Sequence, residues 1–133
     1  MKATSYEPRA RTKKKMKDFK KLKVWQQGME IAKITYDISR ELPTQEKFGL
    51  VSQITRSATC IPANIAEGHG RGTDKERARF MEIALGSSYE LETHIILIGE
   101  LGFISNDKID VVLKLIDDEQ RMLGSLIKLM RQE

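Results

Sequence analysis

"CIPANIAEGHGRGTDKE", residues 60–76, decides how the chain is read. It holds three glycines at alternate positions, Gly68, Gly70 and Gly72. Such a run either cradles a phosphate or marks the gap between two helices. A Walker-type loop ends in Gly-Lys-Ser/Thr and joins a strand to a helix, and the dinucleotide fingerprint also follows a strand. The Lys-Ser/Thr ending is missing here, and the preceding residues are helical in pattern. Leu50, Ile54, Ala58, Ile61 and Ile65 recur at steps of three and four. The glycines therefore read as a helix stop and a reversal, with Gly68 expected in the left-handed conformation just past the helix. "TDKE", residues 73–76, then has the Thr-x-x-Glu pattern of a capping box and opens the next helix. Pro62 lies inside the first of these two helices. It removes a backbone donor and crowds the carbonyl of Ala58, so a kink is expected there.

Working outward, apolar spacing marks two more helices. One runs from about residue 22 to 42, with Val24, Gly28, Ile31, Thr35, Ile38 and Leu42 on one face and Pro43 ending it. The helix opened at Thr73 has Phe80, Ala84, Ser87, Leu91, Ile95 and Ile98 as its stripe, and Gly102 is placed to stop it. The last helix is capped at Ser105 or Asn106 and carries Ile109, Val112, Ile116, Glu119, Leu123, Leu126 and Met130 in near-heptad order. Short connections force successive helices antiparallel. The expected fold is all-α: an up-down-up-down antiparallel four-helix bundle over residues 19–133, with a flexible basic arm over residues 1–18. Met81, Ile83, Leu85, Ile96 and Leu97 on the third helix, with Val111, Leu115, Met122, Ile127 and Leu129 on the fourth, lie off the stripes. Together they argue for an oligomer interface.

The net charge of +4 is unevenly placed. Residues 1–23 hold ten Lys/Arg against two acids, a local +8, and the rest of the chain sums to −4. Self-repulsion should keep such an arm extended, and point charges of this kind contact nucleic-acid phosphates. The candidate contacts are Arg9, Arg11, Lys13, Lys14, Lys15, Lys17, Lys20 and Lys21. A second set, Arg71, Lys75, Arg77 and Arg79, lies beside the free N–H groups that open the third helix.

Other chemistry is thinly represented. His69, His94 and Cys60 have no metal-ligand spacing, so no metal is expected. Cys60 has no evident base to activate it, and no cofactor motif occurs. With one cysteine an internal disulfide is impossible, and the N-terminus lacks the apolar core of a signal peptide, so a cytoplasmic protein is expected. No run of about eighteen apolar residues could span a membrane. Arg56, Asn64, Glu67 and Glu90 form a polar set at helical spacing. Arg56 is expected to pair with a carboxylate of the third helix. The competing reading is a Glu67/Glu90 dyad for acid–base work.

Three blocks carry a family likeness: "FKKLKVWQQGMEIAKITYDIS" (19–39), "FGLVSQITRSATCIPANIAEGHGRGT" (48–73) and "RFMEIALGSSYELETHIILIGELGFI" (79–104). In order and spacing they resemble the bacterial four-helix-bundle family encoded within intervening sequences of 23S rRNA genes. The "SIPANIAEG" element is its most specific part, and Cys60 stands here where serine is usual. That family is similar to the accessory variability protein of diversity-generating retroelements. The resemblance implies a homopentameric bundle without known enzyme activity, binding nucleic acid. The expected function is thus non-enzymatic binding of RNA, such as ribosomal RNA or its fragments. The alternative is a scaffold for a protein partner such as a reverse transcriptase or another mobile-element protein.

Overall fold

A computed structural model describes residues 18–132. Four helices account for most of them: α1 (Lys23–Glu41), α2 (Leu50–His69), α3 (Asp74–Glu100) and α4 (Asn106–Arg131). Single 3-10 turns at Phe19–Lys21 and Thr44–Glu46 precede α1 and α2, and no strand occurs among the described residues. Each helix packs on its successor and α4 returns to α1, while the diagonal pairs α1/α3 and α2/α4 make no comparable contact. That closed square is the up-down-up-down four-helix bundle.

The stripe of α1 shows why the bundle forms. Val24, Gly28, Ile31, Thr35, Ile38 and the capping Leu42 are all buried. Thr35 is tolerated there because its hydroxyl donates to the Ile31 carbonyl at 2.7 Å. Leu42 turns extended (ψ 152°) ahead of Pro43, which ends the helix. On α4, Ile109, Val112, Ile116, Glu119 and Leu123 are buried in the same register. Ion pairs and amides lace the rims: Lys108 with Glu41 joins α4 to α1, and Gln120 donates to Glu92 of α3 at 2.9 Å.

Helix α2 runs unbroken through Pro62 to His69. Its polar side chains mostly bond back to their own helix. Thr55, Ser57 and Thr59 donate to the carbonyls of Val51, Gln53 and Thr55 at 2.8, 3.0 and 2.9 Å, and Asn64 donates to Cys60 at 2.8 Å. Such local bonds satisfy the polar side chains of α2 without partners on another helix.

Gly68 differs from its sequence reading. It is buried inside α2 with ordinary helical backbone, and Gly102 is the one glycine with positive φ among the described residues. The need for glycine at 68 is steric. A Cβ there would lie 2.6 Å from the Cβ of Phe80 and 3.4 Å from the Arg77 carbonyl. The glycine lets α2 and α3 touch at backbone distance. Met81 and Ser88 are buried where the spacing favoured Phe80 and Ser87, which are half-buried.

The ends of α3 follow their sequence signals. The Thr73 hydroxyl accepts from the Glu76 N–H at 3.2 Å. At the other end Gly102 takes φ 76°, with Phe103 N–H donating to Ile98 at 3.3 Å and Gly102 N–H to Gly99 at 3.1 Å. Those paired bonds are the Schellman arrangement that a left-handed glycine permits. Five of the ten off-stripe apolar residues remain exposed: Ile83, Ile96, Leu97, Val111 and Leu129. Met81 is core, and Leu85, Leu115, Met122 and Ile127 pack partly against it.

Candidate nucleic-acid interface

The basic set at the α2–α3 turn is interleaved with acids. Arg71 donates to Glu67 at 2.7 Å, and its guanidinium lies 4.7 Å from the centroid of the Phe80 ring. Arg77 pairs with Asp74 at 2.8 Å. Lys75 and Arg79 line a surface hollow of about 480 Å³ with Thr73, Glu76, Glu82 and Arg131. Arg131, from the end of α4, holds Glu82 by two bonds of 2.9 and 2.8 Å. Its hydrogen bond keeps the Glu82 carboxyl below the usual range, with Arg131 and Arg79 adding charge attraction against partial desolvation. Nothing local in the sequence pointed to Arg131, because the contact spans forty-nine residues.

Two effects oppose each other at this turn. The first N–H groups of α3 favour an anion. Asp74 and Glu76 already occupy that first turn and complement the same dipole. A phosphate arriving here would compete with exposed ion pairs, each worth only about 0–1 kcal/mol. Exchange of partners at Arg71 or Arg77 therefore carries a small penalty.

At the N-terminal side, Lys20 and Lys21 belong to the 3-10 turn before α1. Lys20 pairs with Asp18 at 3.0 Å and rests 5.0 Å over the Phe19 ring. The hydrogen bond from Lys20 lowers the pKa of Asp18. Arg9, Arg11, Lys13, Lys14, Lys15 and Lys17 lie outside the described residues.

The polar set of α2 and α3 resolves into separate contacts. Arg56 donates to Glu90 at 3.2 Å across the two helices, Glu67 is held by Arg71, and Asn64 faces its own helix. Glu67 and Glu90 occupy different levels. The neighbouring Gly68 meets Phe80, ten residues before Glu90, or about 15 Å of helical rise. No carboxylate dyad is assembled from them. Among the described residues no group of three His, Cys, Asp or Glu gathers to hold a metal ion, and no helix is long and apolar enough to cross a membrane. Cys60 is a half-buried free thiol, and the Nδ1 of His94 is buried without a hydrogen-bond partner.

The fold defines a four-helix-bundle protein, with Arg71, Lys75, Arg77 and Arg79 around the α2–α3 turn and Lys20 and Lys21 before α1. The chain belongs to the 23S rRNA-intervening sequence protein family, whose model matches residues 20–125. The match extends past the three sequence blocks into α4. A solved structure from Bacteroides thetaiotaomicron VPI-5482, described as a protein of unknown function from the S23 ribosomal protein family, superposes with a TM-score of 0.74 at 25% identity. The alignment covers 79% of this chain and 98% of that one. No curated protein matches the chain.

Proposed function

We propose that the protein is a non-enzymatic, oligomeric helical bundle that binds RNA by neutralising phosphates, chiefly with its basic N-terminal segment. The separation of charge carries this reading: a net +8 over residues 1–23 beside −4 for the rest. An acidic body repels a polyanion, so the burden falls on Arg9, Arg11, Lys13, Lys14, Lys15, Lys17, Lys20 and Lys21. Arg71, Lys75, Arg77 and Arg79 form a secondary contact that exchanges carboxylate partners for phosphate. Contacts of this kind set affinity and orientation but read little sequence. The family's description makes 23S ribosomal RNA fragments the first ligand to try. The test is RNA binding by the full chain against a deletion of residues 1–17, across a salt series. Absence of binding at low salt contradicts the reading.

The exposed apolar residues favour self-association as part of the same function. Ile83, Tyr89, Ile96 and Leu97 are exposed on α3, as is Leu101 at its C-terminal cap. A groove of about 680 Å³ between α1 and α2 is lined by Trp25, Met29, Tyr36, Pro62 and Ala63, among others. A contact between α3 of one copy and the α1–α2 groove of another would join copies head to tail. Head-to-tail contacts form a ring when the rotation closes, and the family likeness sets the expected ring at five copies.

A further inference from the structure

Among the described residues four polar or charged side chains are buried in the bundle: Thr35, Ser57, Ser88 and Glu119. The first three donate their hydroxyls to carbonyls of their own helices at 2.7, 3.0 and 2.6 Å. Glu119 differs. Its relative exposure is 0%, and neither carboxyl oxygen has a hydrogen-bond partner. An unpaired buried carboxylate is too costly to persist, so such a group keeps its proton.

The surroundings of Glu119 are specific. A Cβ at Gly28 of α1 would lie 3.1 Å from its Oε2 and 3.4 Å from both Ile61 Cγ2 and Pro62 Cβ of α2. The missing side chain at 28 thus leaves room for the carboxyl, in a gap that Ile61 and Pro62 also border. Pro62 has no N–H, so the buried Ala58 carbonyl lacks the donor a regular helix would supply. One turn of α2 is short of a donor, and the unpartnered Glu119 Oε2 borders the same gap at Gly28 as the Pro62 Cβ. A carboxylate only accepts, whereas a carboxylic acid can donate its O–H to a carbonyl.

We infer that Glu119 is held as the neutral acid and directs its O–H at the Ala58 carbonyl freed by Pro62, making a proton-dependent latch between α4 and α2 beside Gly28.

The charged surroundings leave this latch unopposed. Around the vacant Cβ position at Gly28 of α1 the other near neighbours, Ile61 and Pro62 of α2, carry no charge. On α3, Glu92 is engaged by Gln120, the buried Ser88 donates to Leu85, and His94, whose Nδ1 is buried without a partner, adds no charge effect at Glu119. Along α4, Arg121 is turned outward onto Asp117 at 2.6 Å. Desolvation is the sole cause acting on Glu119, and it raises the pKa from 4.5 to about 8. The sign follows. Between these values the folded chain holds a proton that the unfolded chain has released. Stability is therefore fully present below about 4.5 and is lost as pH rises to about 8.

The experiment is a denaturant titration of the full chain from about pH 5 to 9, beside Glu119→Gln. The amide of the variant keeps a donor without a titrating proton. The ratio of the wild-type to the variant unfolding constant should rise about tenfold per pH unit up to the Glu119 midpoint. Parallel profiles overturn the latch. Carbon-13 NMR of the wild-type glutamate carboxyls gives an independent reading: one should titrate near 8, and a Glu119 midpoint near 4.5 overturns the inference. Pro62→Ala restores an N–H to the Ala58 carbonyl and should lower that midpoint by about half to one unit. An unchanged midpoint rules out the carbonyl as acceptor.

Discussion

Gly68 and Phe80 touch almost backbone to backbone: a Cβ at Gly68 would lie 2.6 Å from the Cβ of Phe80. Neither atom belongs to a flexible side-chain end, so Gly68→Ala must push α2 from α3. Overpacking of this kind costs about 1–3 kcal/mol and outweighs the helix propensity gained. Gly124→Ala is the control, because nothing lies within 4 Å of its Cβ position. It should stabilise by roughly 0.5–1 kcal/mol. Urea unfolding of both variants measures the contrast. A Gly68→Ala protein as stable as the control would contradict the close-contact account.

Thr73 begins α3 by accepting from the Glu76 N–H. Thr73→Ala should therefore cost about 1 kcal/mol, within the usual range for a lost N-cap. Thr73→Asp should recover most of it, since aspartate accepts the same bond and suits the helix N-terminus. Thermal unfolding of the two variants separates capping from a general effect at this position.

Leu97 stands on the exposed face of α3. Leu97→Glu should leave the fold intact, because the side chain contributes little to the core of a single chain, and should dissociate the pentamer proposed above. Native mass spectrometry reads this directly. A pentamer has a mass near 76 kDa, five times the 15.2 kDa chain. A wild-type monomer at micromolar concentration would contradict assembly through this face.

Arg56 and Glu90 join α2 to α3 at the surface, with Arg56 largely exposed. A double-mutant cycle on Arg56→Ala and Glu90→Ala should give a coupling of about 0.2–1 kcal/mol that fades with added salt. A larger, salt-insensitive coupling would mean that a partner chain buries the pair.

The sequence disclosed the features that depend on neighbours along the chain. The α1 stripe is buried residue for residue, Thr73 caps, and Gly102 takes the left-handed turn. What it concealed depends on neighbours across helices. Gly68 looked like a stop because it follows a helical pattern and precedes two more glycines. Its real constraint, Phe80, lies on the next helix. The face of α3 was misread at Met81 and Ser88 because that helix is apolar on more than one side. Glu119 sat on the α4 stripe by spacing alone. Only the gap at Gly28 shows why it is accommodated. The Arg131–Glu82 contact had no local signal. The arm cations of the candidate interface are legible as charge, which is a property of composition.

The most direct test of RNA binding is the salt dependence of affinity for a 23S ribosomal RNA fragment, measured for the full chain and for the chain lacking residues 1–17. Each neutralised phosphate contributes roughly 0.7–0.9 to the slope of log K against log salt. If about six arm cations contact phosphates, the deletion should reduce that slope by about 4 to 5 and weaken binding most at low salt. Equal slopes and equal affinities for the two proteins would contradict the assignment of binding to the basic arm.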